Sequence, residues 1–211
     1  MAVSDKMTHT SLDEFRNLRE KIPKPEDIYA VPGEFVSCLV EIAPKIQASG
    51  PWWSLGGDIS EIMMGVHIRP TEIEILTDGA GMEKILGALS GYSPTPVKVR
   101  EARLEREAEL DLMTYPVLER SNYTEFTLRG TKVSIKGDCQ MKVGEWEWGD
   151  ALIFEPDLVN VSGVYVPVMP LGLKSELYIM LGWLDRARMI SDAYTLAHSA
   201  THEPPPVKKS D

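Results

Sequence analysis

LGGDISEIMMGVHIRPTEIEILT, residues Leu55 to Thr77, is the stretch whose reading decides the fold. It opens on Gly56-Gly57, and paired glycines let a backbone turn sharply and come close to other groups. Asp58 then offers a helix cap, and Ile59, Ile62, Met63 and Val66 recur at i, i+3, i+4 and i+7, the apolar stripe of a buried helix. Gly65 falls near its end, and Arg69-Pro70 makes a turn. From Thr71 to Thr77 the period drops to two. Ile73 and Ile75 share one face of a strand, and Glu72, Glu74 and Leu76 share the other.

Upstream, Ser11-Leu12-Asp13-Glu14 has the form of a capping box and predicts a helix over Leu12–Lys21. A second helix is expected from Pro32 to about Ala48, with Phe35, Leu39, Ile42 and Ile46 on one side and a kink or early stop at Pro44. Trp52–Leu55 reads as a short strand. Downstream, Asp78-Gly79-Ala80-Gly81 is expected to be a loop and Met82–Leu89 a short helix. Val97 and Val99 suggest a strand, and the charged run Arg100–Asp111 a helical or solvated segment. Phe126 to Ile135 reads as a hairpin, Leu152–Phe154 as a further strand, and Val159 to Val168 as a hairpin about Ser162-Gly163. Trp146 and Trp148 alternate as in a strand, with core or interface packing as the expected use. One long C-terminal helix follows from Leu173, with Leu177, Met180, Leu181 and Leu184 along it, and His202–Asp211 is a polar tail. The fold class is α/β (α+β): a mixed β-sheet flanked by helices, forming one domain over residues 1–198 with a tail over 199–211.

The 211 residues are 43% hydrophobic and 26% charged, ordinary for a globular protein. No apolar run approaches the roughly 20 residues that cross a bilayer, so no membrane partner is expected. Met1–Thr10 lacks the basic-then-apolar order of a signal peptide. Cys38 and Cys139, far apart and without metal-ligand spacing, point to a reducing cytoplasm. A net charge of −10 argues against general coating of nucleic acid. The chain has no Gly-x-Ser-x-Gly elbow, Walker loop, dinucleotide fingerprint or His-Glu-x-x-His.

Gly56-Gly57, the helix to Gly65, Arg69 and the strand bearing Glu72-Ile73-Glu74 together resemble the front of the nucleotidyltransferase fold. The later order, the hairpin Val159–Val168, then Pro170, Leu173-Lys174 and a helix with Leu184-Asp185-Arg186, resembles its aminoglycoside- and antitoxin-type members. The resemblance covers about half the chain. It implies that Glu72 and Glu74 bind Mg2+ or Mn2+ and that Gly56 and Gly57 face the phosphates of a nucleoside triphosphate. Lys174 would steer phosphate, and the reaction implied is nucleotidyl transfer to an acceptor, in which metal ions clamp the attacking and leaving oxygens.

The chain departs from the pattern at both acids, which are Glu where the family has Asp, and at the spacing from Arg69, which is one residue short. A third acid is expected on a later strand, where Ser134 stands; Asp138 is the displaced candidate, making the catalytic set Glu72, Glu74 and Asp138. Read from the residues alone, other assignments stay open. Glu72 and Glu74 can be a solvated strand face, Gly56-Gly57 a tight turn, Lys174 a surface lysine, and Asp185 and Arg186 an ion pair. The corresponding second function is a non-catalytic module that binds a protein partner, in a toxin–antitoxin or regulatory pair.

Overall fold

The computed structural model describes residues 31–104 and 115–200. The expected helix over Leu12–Lys21, the end of the charged run Arg100–Asp111 from residue 105, and the tail from His202 lie outside them. Helix α1 (Gly33–Ser49) leads to strand β1 (Trp53–Leu55), helix α2 (Gly57–Met63), strand β2 (Ile73–Thr77) and helix α3 (Gly79–Ala88). Strands β3 (Lys98–Leu104), β4 (Val117–Leu128), β5 (Thr131–Val143), β6 (Asp157–Val161) and β7 (Val164–Val168) follow, then helices α4 (Leu171–Leu181) and α5 (Leu184–Ala200).

The strands form one sheet in the order β3-β4-β5-β2-β1-β7-β6. β2 pairs parallel with β5 and antiparallel with β1, and β1 pairs parallel with β7. The outer pairs are antiparallel, so the sheet is mixed, with helices packed on it. Among the described residues no helix is long and apolar enough to cross a membrane.

Alternation along β2 does the sorting that the sequence predicts. Ile73 and Ile75 are fully buried in one apolar cluster with Val133 and Ile135 of β5, Leu39 and Ile42 of α1, and Ile85 of α3. Glu72 and Glu74 are left for the opposite face. The whole set Phe35, Leu39, Ile42 and Ile46 of α1 is buried, as the helical spacing requires.

Several boundaries differ from expectation, each for a local reason. α1 continues through Pro44 and stops at Gly50, whose φ of 67° ends it in the left-handed region; burial of its apolar face outweighs the hydrogen bond lost at proline. α2 is capped by Gly56, and Asp58 lies in its first turn. Asp78 accepts a hydrogen bond from the Gly81 N–H, so Gly79-Ala80-Gly81 is the first turn of α3 and not a loop. Arg100–Leu104 is strand, held by antiparallel pairing with β4. Leu152–Phe154 is not a strand; Trp52 donates its indole N–H to the Phe154 carbonyl and packs edge-on to the Phe154 ring. Trp146 lies in a turn and is 75% exposed, while Trp148 sits under the Arg120 guanidinium. The single C-terminal helix is two, broken at Gly182 with φ 77°.

Ile75→Ala removes a fully buried side chain at the centre of the sheet. It is expected to cost about 2–5 kcal/mol in urea unfolding, whereas Leu158→Ala, at a position 67% exposed, should stay within about 0.5 kcal/mol of wild type.

Candidate functional site

β1 ends at Leu55, and the chain turns through Gly56 into α2 directly beside β2, where Leu55 pairs with Ile75. The Gly56 N–H donates to the Glu74 carbonyl at 2.9 Å. A Cβ on Gly56 would stand 2.4 Å from Glu74 Oε1, and Gly57 has φ 52°. The glycines are therefore required here by the close approach of the Glu74 side chain and by a left-handed turn.

Glu74 Oε2 lies 2.8 Å from Lys136 Nζ, and the same nitrogen lies 2.9 Å from Glu119 Oε1. All three side chains are between 13% and 15% exposed, so this ion triad is largely out of water. Burial works to raise the Glu74 carboxyl, but Lys136, Lys174 and the Gly57 N–H outweigh it and hold the pKa below the ordinary carboxylate value. Burial likewise works to lower Lys136, and Glu74 and Glu119 outweigh it and hold the ammonium well above the usual lysine value. Towards the rim, Glu72 Oε2 lies 3.0 Å from Lys132, which also reaches Glu125 at 3.2 Å.

A second charged group sits behind the turn. Lys174 of α4 is 3% exposed, pairs with the buried Glu61 of α2 at 2.9 Å, and donates to the Gly57 carbonyl. Tyr178 donates to the same Glu61 carboxylate, and Arg186 of α5 pairs with Asp58. Burial pulls the Lys174 pKa below its usual value, and Glu61 offsets this only in part. This network fastens α2 to α4 and α5.

Between these two groups lies a cavity of about 280 Å³, lined among others by Gly57, Glu72, Glu74, Lys136 and Lys174. Its apolar wall includes Leu76, Met141, Leu152, Met169, Leu177 and Trp183. The expected site residues Gly57, Glu72, Glu74 and Lys174 thus meet in one place, with Gly56 against Glu74. Asp138 does not line the cavity. Its carboxylate accepts hydrogen bonds from the Gly79 N–H at 2.8 Å and from Asn122 at 3.2 Å, binding the start of α3 to β5. Ser134 lies opposite Glu74 in the β2–β5 register, buried, with its hydroxyl unpartnered.

Three partners in the site were not singled out from the sequence. Lys136 was detectable, since Lys132, Ser134 and Lys136 alternate on the strand that pairs with β2. Glu119 was hidden by the bulge between Arg120 and Asn122, which shifts the β4–β5 register. Glu61 sits among the apolar residues of α2, where nothing local marks its partner 113 residues away.

No family model and no curated protein matches the chain. Among solved structures, it is similar to TM1012 from Thermotoga maritima, a candidate nucleotidyltransferase, with TM-score 0.59 and 22% identity over 80% of this chain and 97% of that one. The chain has the nucleotidyltransferase fold. Two structures of the antibiotic-resistance factor ANT(2'')-Ia are also similar. One, in complex with adenylyl-2''-tobramycin, has TM-score 0.40 and 8% identity over 80% of this chain and 99% of that one. The other, a solution structure, has TM-score 0.41 and 7% identity over 81% and 92%.

The divalent metal that this fold implies can be tested against the residues present. Two hard oxygen donors on one strand face suit Mg2+ or Mn2+ in kind. Their geometry does not, because each carboxylate is already bound to a lysine ammonium. Among the described residues no three acidic, histidine or cysteine side chains converge as a metal site would need. As arranged, the site does not fit the ion.

Two outcomes follow from the geometry. Because the Glu74 pKa is lowered on folding, the unfolded chain binds more protons, and the stability from Glu74 is full above pH of about 4.3. It is lost as pH falls through the lower folded value. Unfolding measured between pH 3 and 7 should show a shallower acid limb for Glu74→Gln than for wild type. Separately, Lys174→Met removes the ion partner 2.9 Å from buried Glu61, leaving it the Tyr178 hydroxyl and the more distant Arg186 at 3.4 Å, and should cost about 3 kcal/mol. Most of that loss should return in the double variant Lys174→Met, Glu61→Leu, read by chemical denaturation.

Proposed function

We propose that this chain is a nucleotide-binding protein on a nucleotidyltransferase fold, and that its cavity takes a nucleoside or nucleoside monophosphate without a divalent ion. The observation that carries the reading is the convergence of Gly57, Glu72 and Glu74, from the stretch Leu55–Thr77, with Lys174 of α4 on one cavity.

The size and charge of that cavity narrow the ligand. At about 280 Å³ it lies at the lower edge of the range of about 300–1,000 Å³ for small-molecule sites, enough for a base and sugar. Leu76, Met141, Leu152 and Met169 supply an apolar wall for a base. Glu72 and Glu74 supply acceptors for hydroxyls and base edges. A triphosphate is less suited, because Lys136, Lys174 and Arg186 are each committed to a carboxylate. Binding, and not metal-dependent transfer to an acceptor, is the activity that these residues support. Cys38 and Cys139, both buried thiols, fit the reducing cytoplasm as the working compartment.

A second reading, a non-catalytic module for a protein partner, is favoured by Ile179, Met180 and Leu184, all exposed around the α4–α5 junction. Stoichiometric co-purification from the native host, lost in Met180→Asp, would support it.

Calorimetry with adenosine, AMP, ATP and CTP, each with and without Mn2+, tests the first reading. Nucleoside or monophosphate binding should occur without the ion, and ATP should bind no more tightly than AMP. Leu177→Trp, which fills the cavity, should abolish binding while leaving the folded spectrum intact. Absence of binding by every nucleoside and nucleotide overturns the proposal. So does ATP binding that requires Mn2+ and disappears in Glu72→Ala, Glu74→Ala, which would instead restore the metal-dependent transferase.

A further inference from the structure

We infer that Lys136 is a built-in cation standing where a divalent ion could otherwise bind: its ammonium lies between Glu74 and Glu119, and its removal exposes a latent divalent-cation site. The inference concerns the cation alone and stands whether or not a nucleotide enters the cavity.

The geometry makes the case. Lys136 Nζ is shared between Glu74 Oε2 at 2.8 Å and the Glu119 carboxylate, whose two oxygens lie at 2.9 and 3.1 Å. Three oxygens from two strands therefore already surround one point of positive charge. Calcium–oxygen distances are about 2.3–2.6 Å and magnesium–oxygen distances about 2.0–2.1 Å, so an ion at that point would draw the same ligands inwards, less for a larger ion than for magnesium. Glu74 is held there from its other side, since Oε1 lies against the Gly56-Gly57 turn. It cannot swing away when its partner changes without opening that turn.

Two further observations separate a resident lysine from an incidental surface pair. The Lys136 side chain is only 13% exposed, so its ammonium is held in place by burial and not loosely tethered in water. Ser134, the buried residue opposite Glu74 in the strand register, carries a hydroxyl without a partner where a third acid was expected. Because the ammonium is covalently attached, a divalent ion must displace an intramolecular partner at high effective concentration.

The test is Mn2+ binding by electron paramagnetic resonance on the full chain. Wild type should bind no Mn2+ at a concentration where Lys136→Gln binds one ion per chain, and Lys136→Gln, Glu74→Gln should bind none. Lys136→Arg, which keeps the charge, should behave as wild type. Mn2+ should raise the melting temperature of Lys136→Gln and leave that of wild type unchanged, so a variant that folds only with the ion also supports the inference. A wild type that binds one Mn2+, lost in Glu74→Gln, overturns it. So does a Lys136→Gln chain that gains neither Mn2+ nor stability from it. Neither result depends on nucleotide binding, so failure here is distinguishable from failure of the proposed ligand.

Discussion

A carboxylate removed from water must be paired, and the site is organised around that requirement at Glu74. The strand period places Glu74 on the face opposite Ile73 and Ile75, which the core claims. The antiparallel pairing of β1 with β2 then brings the Gly56-Gly57 turn against its side chain. One oxygen faces backbone and the other faces Lys136. Removing any of these supports leaves a charge whose desolvation is not compensated, and the cost of such a charge exceeds that of most lost contacts. Glycine at 56, lysine at 136 and the β2–β5 register are therefore linked constraints, not independent features.

The same reasoning explains why part of the architecture was legible in the sequence. Periodicity identifies a strand by alternation and a helix by its apolar stripe, so β2, α1, α2 and the β6–β7 hairpin could be read directly. The breaks in that reading all involve interactions that periodicity does not encode. Asp78 caps α3 through a side-chain hydrogen bond, and Gly182 divides two helices whose apolar residues continue in phase across it. Arg100–Leu104 is charged enough to suggest a solvated helix, but it is an edge strand whose backbone bonds to β4. Edge strands tolerate such charge, and it discourages pairing with another chain.

The candidate site was legible to a different extent. Gly57, Glu72, Glu74 and Lys174 could be found because spacing along a known order selects them. Their counterions could not, because a long-range ion pair leaves no trace in local spacing. Lys136 lies 62 positions beyond Glu74 and meets it only through the register that pairs β2 with β5, and Glu119 reaches it only after a bulge shifts β4. Asp138 shows the converse. It is the displaced candidate for a third acid, four residues past Ser134, and its φ of 50° and its bonds to Gly79 and Asn122 tie it to the start of a helix.

Lys174 shows how the two charged groups depend on each other. Its nitrogen binds Glu61 and the Gly57 carbonyl at once, so the helix that supplies it also fixes the turn that confines Glu74. Its electrostatic influence on Glu74 has the same sign as that of Lys136. A phosphate arriving at the glycine turn would therefore compete with an ammonium for a position already stabilised from two directions. Such competition costs more than filling an open cradle, since each displaced lysine leaves a buried glutamate behind. The arrangement favours a ligand that adds hydrogen bonds to intact ion pairs over one that must replace them.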